Sequence, residues 1–104
     1  SIEKQEDYYM KVQPEEVITS IEQLSVTLSH NHPNSETARY VAKSLKELKG
    51  SHGTAFTGAL QSFFNSAPSV KLSDRFSFTV EEKALWDKVF SFKQLGNNLW
   101  PLSL

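Results

Sequence analysis

The feature that most constrains the fold is a stripe of branched apolar side chains near the start of the chain. The stripe consists of Val17, Ile21, Leu24 and Leu28, which follow one another at intervals of four, three and four residues. This spacing places them on one face of an α-helix, and Ile18 widens that face. Pro14 suits a first helical turn, and Glu15 and Glu16 suit the positive end of the helix dipole. We therefore predict a helix over about residues 14–30.

The next two segments are predicted to be helices because their apolar residues have a helical period. The second helix covers residues 35–49, ends at Gly50 and has as its apolar face Ala38, Val41, Ala42, Leu45 and Leu48. On this helix, Tyr40 is expected to point away from the core. The third helix covers residues 54–66, and its inner face is Phe56, Leu60, Phe63, Phe64 and Ala67. It is predicted to end before Pro68, because proline disfavours helix at the residue that precedes it.

The fourth helix has the clearest start signal in the chain. Thr79 and Glu82 fit a capping box, in which each side chain accepts a hydrogen bond from the backbone N–H of the other residue. The helix is predicted over residues 79–95, with a stop at the sequence Gly96-Asn97-Asn98. Its core face is predicted to consist of Leu85, Val89 and Phe92.

Four helices joined by short connections predict an all-α fold, an antiparallel bundle, in one domain that spans residues 1–104. Residues 3–12 could add a short fifth helix. Residues 69–78 form the longest predicted connection, which could hold a helical turn or an extended piece. Because the chain begins at Ser1 and not at Met, we expect the domain to be part of a larger protein.

The composition excludes several classes of protein. The chain has no cysteine, which excludes a disulfide scaffold and a thiolate metal site and fits an intracellular, cytoplasmic location. No apolar run approaches the ~18 residues that a membrane span needs, so no membrane partner is expected. The net charge of −1 lacks the basic bias of most nucleic-acid-binding domains.

The histidines raise the question of a metal site. The candidate ligands are His30, His32, His52 and Glu36. A zinc site needs at least three protein ligands, and no helical H-E-x-x-H pair occurs in this chain. We predict no metal site. His30 and His32 are interpreted as the corner between two helices, where Pro33 breaks the first helix and Asn34 or Ser35 caps the second.

No catalytic motif occurs in the sequence. It lacks a nucleophile elbow, an S-x-x-K motif, a phosphate-binding loop and a dinucleotide fingerprint. The acid pairs Glu15-Glu16 and Glu81-Glu82 begin helices, where capping and the helix dipole account for them. We predict a non-enzymatic domain without a cofactor.

The fourth helix carries more apolar surface than one core-facing stripe needs. At ~100° per residue, Trp86 and Phe90 extend its apolar arc to one side. Phe76 and Phe78 would share one face of an extended connection, and Trp100 follows the helix. We predict a protein–protein interaction domain, an adaptor or scaffold, that docks a partner peptide or helix on these aromatic rings.

A basic stripe on the second helix supports an alternative function, the binding of RNA or another nucleic acid. Arg39, Lys43 and Lys46 recur at helical spacing, and Lys49 lies at the end of the helix. Such a row could contact phosphates. It is also explained as a solvated face whose lysine stems cover the edge of the core. We favour this second explanation, because so few cations neutralise few phosphates.

Residues 50–70 contain no Asp, Glu, Lys or Arg. The outward side of the third helix would consist of Thr57, Gly58, Gln61, Ser62 and Asn65. Because charge is depleted at the centre of interfaces, this face is expected to be covered. The candidates are the connection at residues 69–78, the N-terminal segment or a partner, and we favour cover from within the chain.

Overall fold

The computed structural model describes residues 14–103, and their side chains up to residue 93. This part of the chain contains four α-helices joined by short connections. They are α1 (Pro14–Asn31), α2 (Glu36–Lys49), α3 (Gly53–Ser73) and α4 (Val80–Ser103). No strand occurs within residues 14–103. The predicted all-α fold is confirmed, as are the predicted bounds of the first two helices to within one residue. The antiparallel order stays a prediction, and the fifth helix over residues 3–12 lies outside the described residues.

Helix α1 packs against both α2 and α4, and α2 packs in turn against α3. The backbones of α3 and α4 approach each other at fewer places, and large aromatic rings lie between these two helices. All four helices contribute to one hydrophobic core. Its buried apolar residues are Val17, Ile21, Leu24, Leu28, Ala38, Val41, Leu48, Leu60, Phe63, Phe64, Ala67, Val89 and Phe92. The core faces predicted from the helical spacing are therefore confirmed in their main members.

Helix α3 continues through Pro68 to Ser73, so the predicted end before Pro68 was wrong. Proline inside a helix lacks an N–H donor and crowds the preceding turn, at a penalty of ~3 kcal/mol. Phe64 and Ala67, immediately before it, are buried in the core. Beyond Pro68, the helix positions Lys71 so that its Nζ lies 4.5 Å from the Phe76 ring centroid and donates a hydrogen bond to the Phe76 carbonyl, and these contacts offset part of the local penalty. The connection to α4 is therefore residues 74–79, shorter than predicted.

Helix α4 continues past Gly96 and Pro101 to Ser103, so the predicted stop at Gly96 was also wrong. One glycine inside a helix costs ~1 kcal/mol relative to alanine, which does not by itself end a long helix. The side chain of Trp100, one of the predicted docking rings, lies outside the described residues.

Two side chains of α2 lie in environments that differ from the prediction. Tyr40 is half-buried, and its ring is nearly parallel to that of Phe63, with 6.1 Å between the centroids. Ala42 is exposed. Both differences have one cause: the buried arc of α2 includes Thr37 and Ser44, which turns the helix toward Tyr40 and away from Ala42.

Leu60 and Leu72 lie on the same helix at opposite extremes of exposure, at 0% and 85%. We expect Leu60→Ala to lower the free energy of unfolding by ~2–5 kcal/mol, because it removes buried methyl groups and leaves a cavity. Leu72→Ala is the matched control and should change that free energy by less than ~0.5 kcal/mol. Urea unfolding followed by circular dichroism measures both, and equal effects would contradict the position of α3 in the core.

Candidate functional site

The corner between α1 and α2 contains the two histidines that raised the question of a metal site. Helix α1 ends at Asn31, and the Ser35 hydroxyl caps α2 by accepting a hydrogen bond from the Ala38 N–H at 3.0 Å. The interpretation of this segment as a helix corner is therefore confirmed, with Ser35 as the cap. His30 is exposed. Within the described part of the chain, no three His, Cys, Asp or Glu side chains come together in a group that could hold a metal ion.

The corner binds a carboxylate from the other end of the sequence. Glu82, in the first turn of α4, is completely buried. Its Oε2 accepts a hydrogen bond from Asn31 Nδ2 at 2.8 Å and lies 2.8 Å from His32 Nε2. Because an ionised carboxylate can only accept, the Nε2 atom of His32 must carry a hydrogen.

The other oxygen of Glu82 completes the predicted capping box. Glu82 Oε1 accepts a hydrogen bond from the Thr79 N–H at 2.8 Å, and the Thr79 hydroxyl accepts one from the Glu82 N–H at 3.1 Å. The prediction of this cap is confirmed. Sequence reasoning missed that the same carboxylate also joins α4 to the corner after α1, because that contact links residues about fifty positions apart.

The pKa of Glu82 lies below its ordinary value. Burial raises the pKa, but the hydrogen bonds from Asn31 and the Thr79 amide lower it, as do the charge and the hydrogen bond of His32. The lowering effects are the larger in sum, so the carboxylate is ionised at neutral pH.

A second carboxylate, that of Asp74, ties the α3–α4 connection to the start of α2. Its oxygens accept hydrogen bonds from the N–H groups of Glu36 at 3.2 Å and Thr37 at 2.7 Å, and also from the Thr37 hydroxyl. Two free amides at a helix N-terminus are thereby satisfied by an anion, as the helix dipole favours. Burial raises the pKa of Asp74, but the Thr37 and Glu36 hydrogen bonds and the charge of Lys71 bring it below its ordinary value.

A continuous row of aromatic rings leads from this network along α4. We call the rings of Phe76, Phe78, Trp86 and Phe90 the aromatic surface. Neighbouring centroids in this order are 5.7, 5.0 and 4.7 Å apart. All four rings are half-buried. Four of the five predicted docking rings therefore lie side by side, and the fifth, Trp100, lies outside the described side chains.

The inner end of the aromatic surface is fixed to the core. The Phe90 ring contacts those of Phe63, at 5.9 Å between centroids, and Phe64, at 5.4 Å. Both of these α3 rings are buried. Phe90 therefore lies between α3 and α4, Trp86 stacks on it, and part of each ring reaches the surface.

The outer end of the aromatic surface is fixed to the polar network. The His32 ring stacks on Phe76 with 3.8 Å between centroids and 17° between planes. Lys71 Nζ lies 4.5 Å from the Phe76 centroid and 4.7 Å from that of Phe78, and it donates a hydrogen bond to the Phe76 carbonyl at 2.7 Å. Cation–π contacts of this kind stabilise by ~0.5–2 kcal/mol. Sequence reasoning missed this role of Lys71, which the spacing of residues along α3 does not indicate.

The basic stripe of α2 is partly neutralised by acids of the same chain. Arg39 pairs with Glu36, and Lys49 Nζ lies 2.8 Å from Glu22 Oε2 on α1. Lys43 and Lys46 are exposed. Four cations thus offer a weaker positive field than their number suggests.

The uncharged side of α3 is not covered as expected. Gly58, Gln61, Ser62 and Asn65 are exposed, and Thr57 is half-buried. The expected cover by the connection at residues 69–78 was therefore wrong for these four exposed members, and the N-terminal segment, the other candidate from within the chain, lies outside the described residues. These four side chains stay exposed because residues 69–73 continue α3 and do not fold back over it.

A depression of about 310 Å³ between α1 and α4 was not predicted. It is lined by Glu15, Glu16, Thr19, Ser20, Lys88 and Phe92. Its lining combines the acidic start of α1 with a lysine and a nearly buried ring of α4. Capping and the helix dipole are enough to explain Glu15 and Glu16 from the sequence, so no sequence pattern predicts this depression.

Comparisons of the chain with known protein families, with curated proteins and with solved structures find no match. Among the described helices, none combines the length and the apolar character that spanning a membrane requires.

Replacing Glu82 tests the polar network. Glu82→Gln keeps the shape but places an amide donor against Asn31, His32 or the Thr79 N–H, so we expect the free energy of unfolding to fall by ~1–3 kcal/mol. Glu81→Gln, at an exposed position in the same helical turn, loses only a dipole interaction and should cost less than ~1 kcal/mol. Urea unfolding at neutral pH gives both values, and a larger loss in Glu81→Gln would count against the network.

The lowered pKa values of Asp74 and Glu82 predict acid sensitivity. A carboxylate whose pKa is depressed by folding stabilises the fold above its unfolded-state pKa, and this stabilisation is lost as the pH falls through the folded-state pKa. The urea midpoint should therefore decrease from about pH 5 to about pH 3, and less steeply in an Asp74→Asn/Glu82→Gln double variant. Equal slopes in the two proteins would show that other groups cause the acid sensitivity.

Proposed function

We propose that this chain is a non-enzymatic protein–protein interaction domain that docks a partner peptide or helix on the aromatic surface. The observation that supports the proposal most is the continuous row of half-buried rings along one side of α4 and its preceding connection. Large aromatic side chains dominate the binding energy of many interfaces. An adaptor or scaffold role inside the cell, in the cytoplasm, fits the absence of cysteine.

The way in which the rings are held also supports docking. Phe76 lies between residues that are tied down: Asp74 binds the start of α2, and Thr79 and Glu82 cap α4. At the other end of the aromatic surface, Phe90 rests on two buried rings of α3. A surface that is already ordered loses little conformational entropy when a partner binds, which leaves more of the contact energy for affinity.

The nucleic-acid alternative has weaker support. Arg39 and Lys49 are already paired with Glu36 and Glu22. Aromatic rings bind single-stranded bases by stacking on their flat faces, and a neighbouring ring already covers one face of Phe76, Trp86 and Phe90. His32 stacks on Phe76, and Trp86 and Phe90 stack on each other with 23° between planes.

A pull-down from cell extract with the whole chain, with and without nuclease treatment, tests the proposed function. We expect captured proteins that survive nuclease and are lost in Trp86→Ala, because truncating an anchor ring at a binding site costs ~2 kcal/mol or more. Lys43→Glu/Lys46→Glu is the matched control on the other candidate surface and should retain them.

Circular dichroism is the control that checks whether the Trp86→Ala protein is folded. Capture that nuclease abolishes, or that depends on Lys43 and Lys46 and not on Trp86, would contradict docking on the aromatic surface and favour the basic stripe.

A further inference from the structure

We propose that the partner of the aromatic surface is acidic: an amphipathic peptide whose apolar side chains rest on Trp86 and Phe90 and whose carboxylates lie beside Arg75 and Lys93. This inference rests on the proposed function and adds the chemistry of the partner. The charged side chains around the rings, and the partners that they already have, support this inference.

Four cations lie over the aromatic surface or close to its rings in the sequence. Lys71 lies over the rings of Phe76 and Phe78. Arg75 directly precedes Phe76 in the chain. On α4, Lys83 lies three residues before Trp86, and Lys93 lies three residues after Phe90, so each is on the same side of the helix as its ring.

Three of the four anions of this region are already engaged, and the fourth, Glu81, lies five residues before Trp86 and thus toward the opposite side of α4. Asp87 accepts hydrogen bonds from Lys83 Nζ at 2.7 Å, and Asp74 is bound to the start of α2. Glu82 is buried and satisfied by its own contacts.

Among the described side chains, Arg75 and Lys93 have no carboxylate partner, and Arg75 is exposed. Unpaired positive charge thus remains on exposed Arg75, next to Phe76 in the chain, and on half-buried Lys93, about one turn after Phe90. A partner with carboxylates at matching places gains electrostatic attraction, whereas a basic partner is repelled.

The exposed face of α3 does not offset this positive charge. Residues 50–70 carry no charged side chain. The charges that decide which partner is preferred therefore come from α4, from the α3–α4 connection and from the last turn of α3. The basic stripe of α2 belongs to a different helix and supplies the matched control.

The size of the surface fits a short helical segment. Ring centroids separated by 5.7, 5.0 and 4.7 Å extend over at most about three turns of a helix, at ~5.4 Å per turn. A partner helix would place an apolar residue on the rings at each turn and acidic residues toward the two ends.

Selection from a displayed library of random peptides of about 16 residues, which is about four helical turns, tests the inference. The whole chain is the bait, and the Trp86→Ala variant is used for counter-selection. We expect the enriched peptides to combine apolar residues at helical spacing with more Asp and Glu than the starting library contains.

The affinities of the enriched peptides are then measured by fluorescence anisotropy. Arg75→Glu/Lys93→Glu should weaken them by about five-fold or more, and Lys43→Glu/Lys46→Glu by less than about two-fold, because charges at the rim of a contact act mainly on nearby partner groups. The Arg75 and Lys93 changes replace side chains without ion pairs among the described residues, so the variant should fold. If Trp86→Ala unfolds, the shift of the Trp86 indole N–H resonance on peptide addition replaces it as the reporter.

The outcomes separate the two proposals. Peptides that depend on Trp86 but are not acidic, or that bind equally well to Arg75→Glu/Lys93→Glu, would overturn the acidic partner and leave the proposed function standing. A selection without any Trp86-dependent peptide would overturn both. Displacement of bound acidic peptide by polyuridylate in a manner that depends on Lys43 and Lys46 would assign the anion preference to the basic stripe instead.

Discussion

The buried carboxylate of Glu82 is the interaction on which the rest of this structure depends. Its two oxygens join the end of α1, the corner after it and the start of α4 through Asn31, His32 and Thr79. A buried carboxylate without partners would be strongly destabilising, so these three donors are required wherever Glu82 is buried. We therefore expect this contact to favour the observed arrangement of α4 against α1 over others that apolar packing alone would allow.

The aromatic surface is a consequence of this arrangement. His32, held by Glu82, stacks on Phe76, and from Phe76 the rings continue to Trp86 and Phe90. One end of the row is thus fixed by a polar network and the other by the buried rings of α3. The residues that hold the fold and those proposed to bind a partner lie in contact with each other. Function and stability are therefore coupled, and each ring variant needs a test of folding beside its test of binding.

Local features of the fold could be predicted from the sequence, and contacts between distant segments could not. Leu24 and Leu60 are buried, as the helical spacing of apolar residues predicts. The Thr79–Glu82 cap is likewise predicted from a pattern of four residues. The predicted helix end at Pro68 was wrong, because residues 69–73 continue α3 despite the local penalty of a proline. Trp86 and Phe90 were predicted because they exceed what one core stripe needs, and Phe76 and Phe78 because alternate residues of an extended segment share a face. The contact of Asp74 with Thr37 and that of Glu82 with His32 depend on how the helices pack, which no local pattern encodes.

Glu82 is an ionised, buried carboxylate held by donors from two segments of the chain. A pH titration of its side-chain carboxyl carbon by NMR measures this directly in the folded protein. We expect Glu82 to titrate below the ordinary pKa of a glutamate, because the hydrogen bonds and charge around it outweigh the effect of burial. Titration at or above that ordinary value would contradict this role of Glu82, since it would show a carboxyl that burial dominates and that Asn31, His32 and Thr79 do not stabilise.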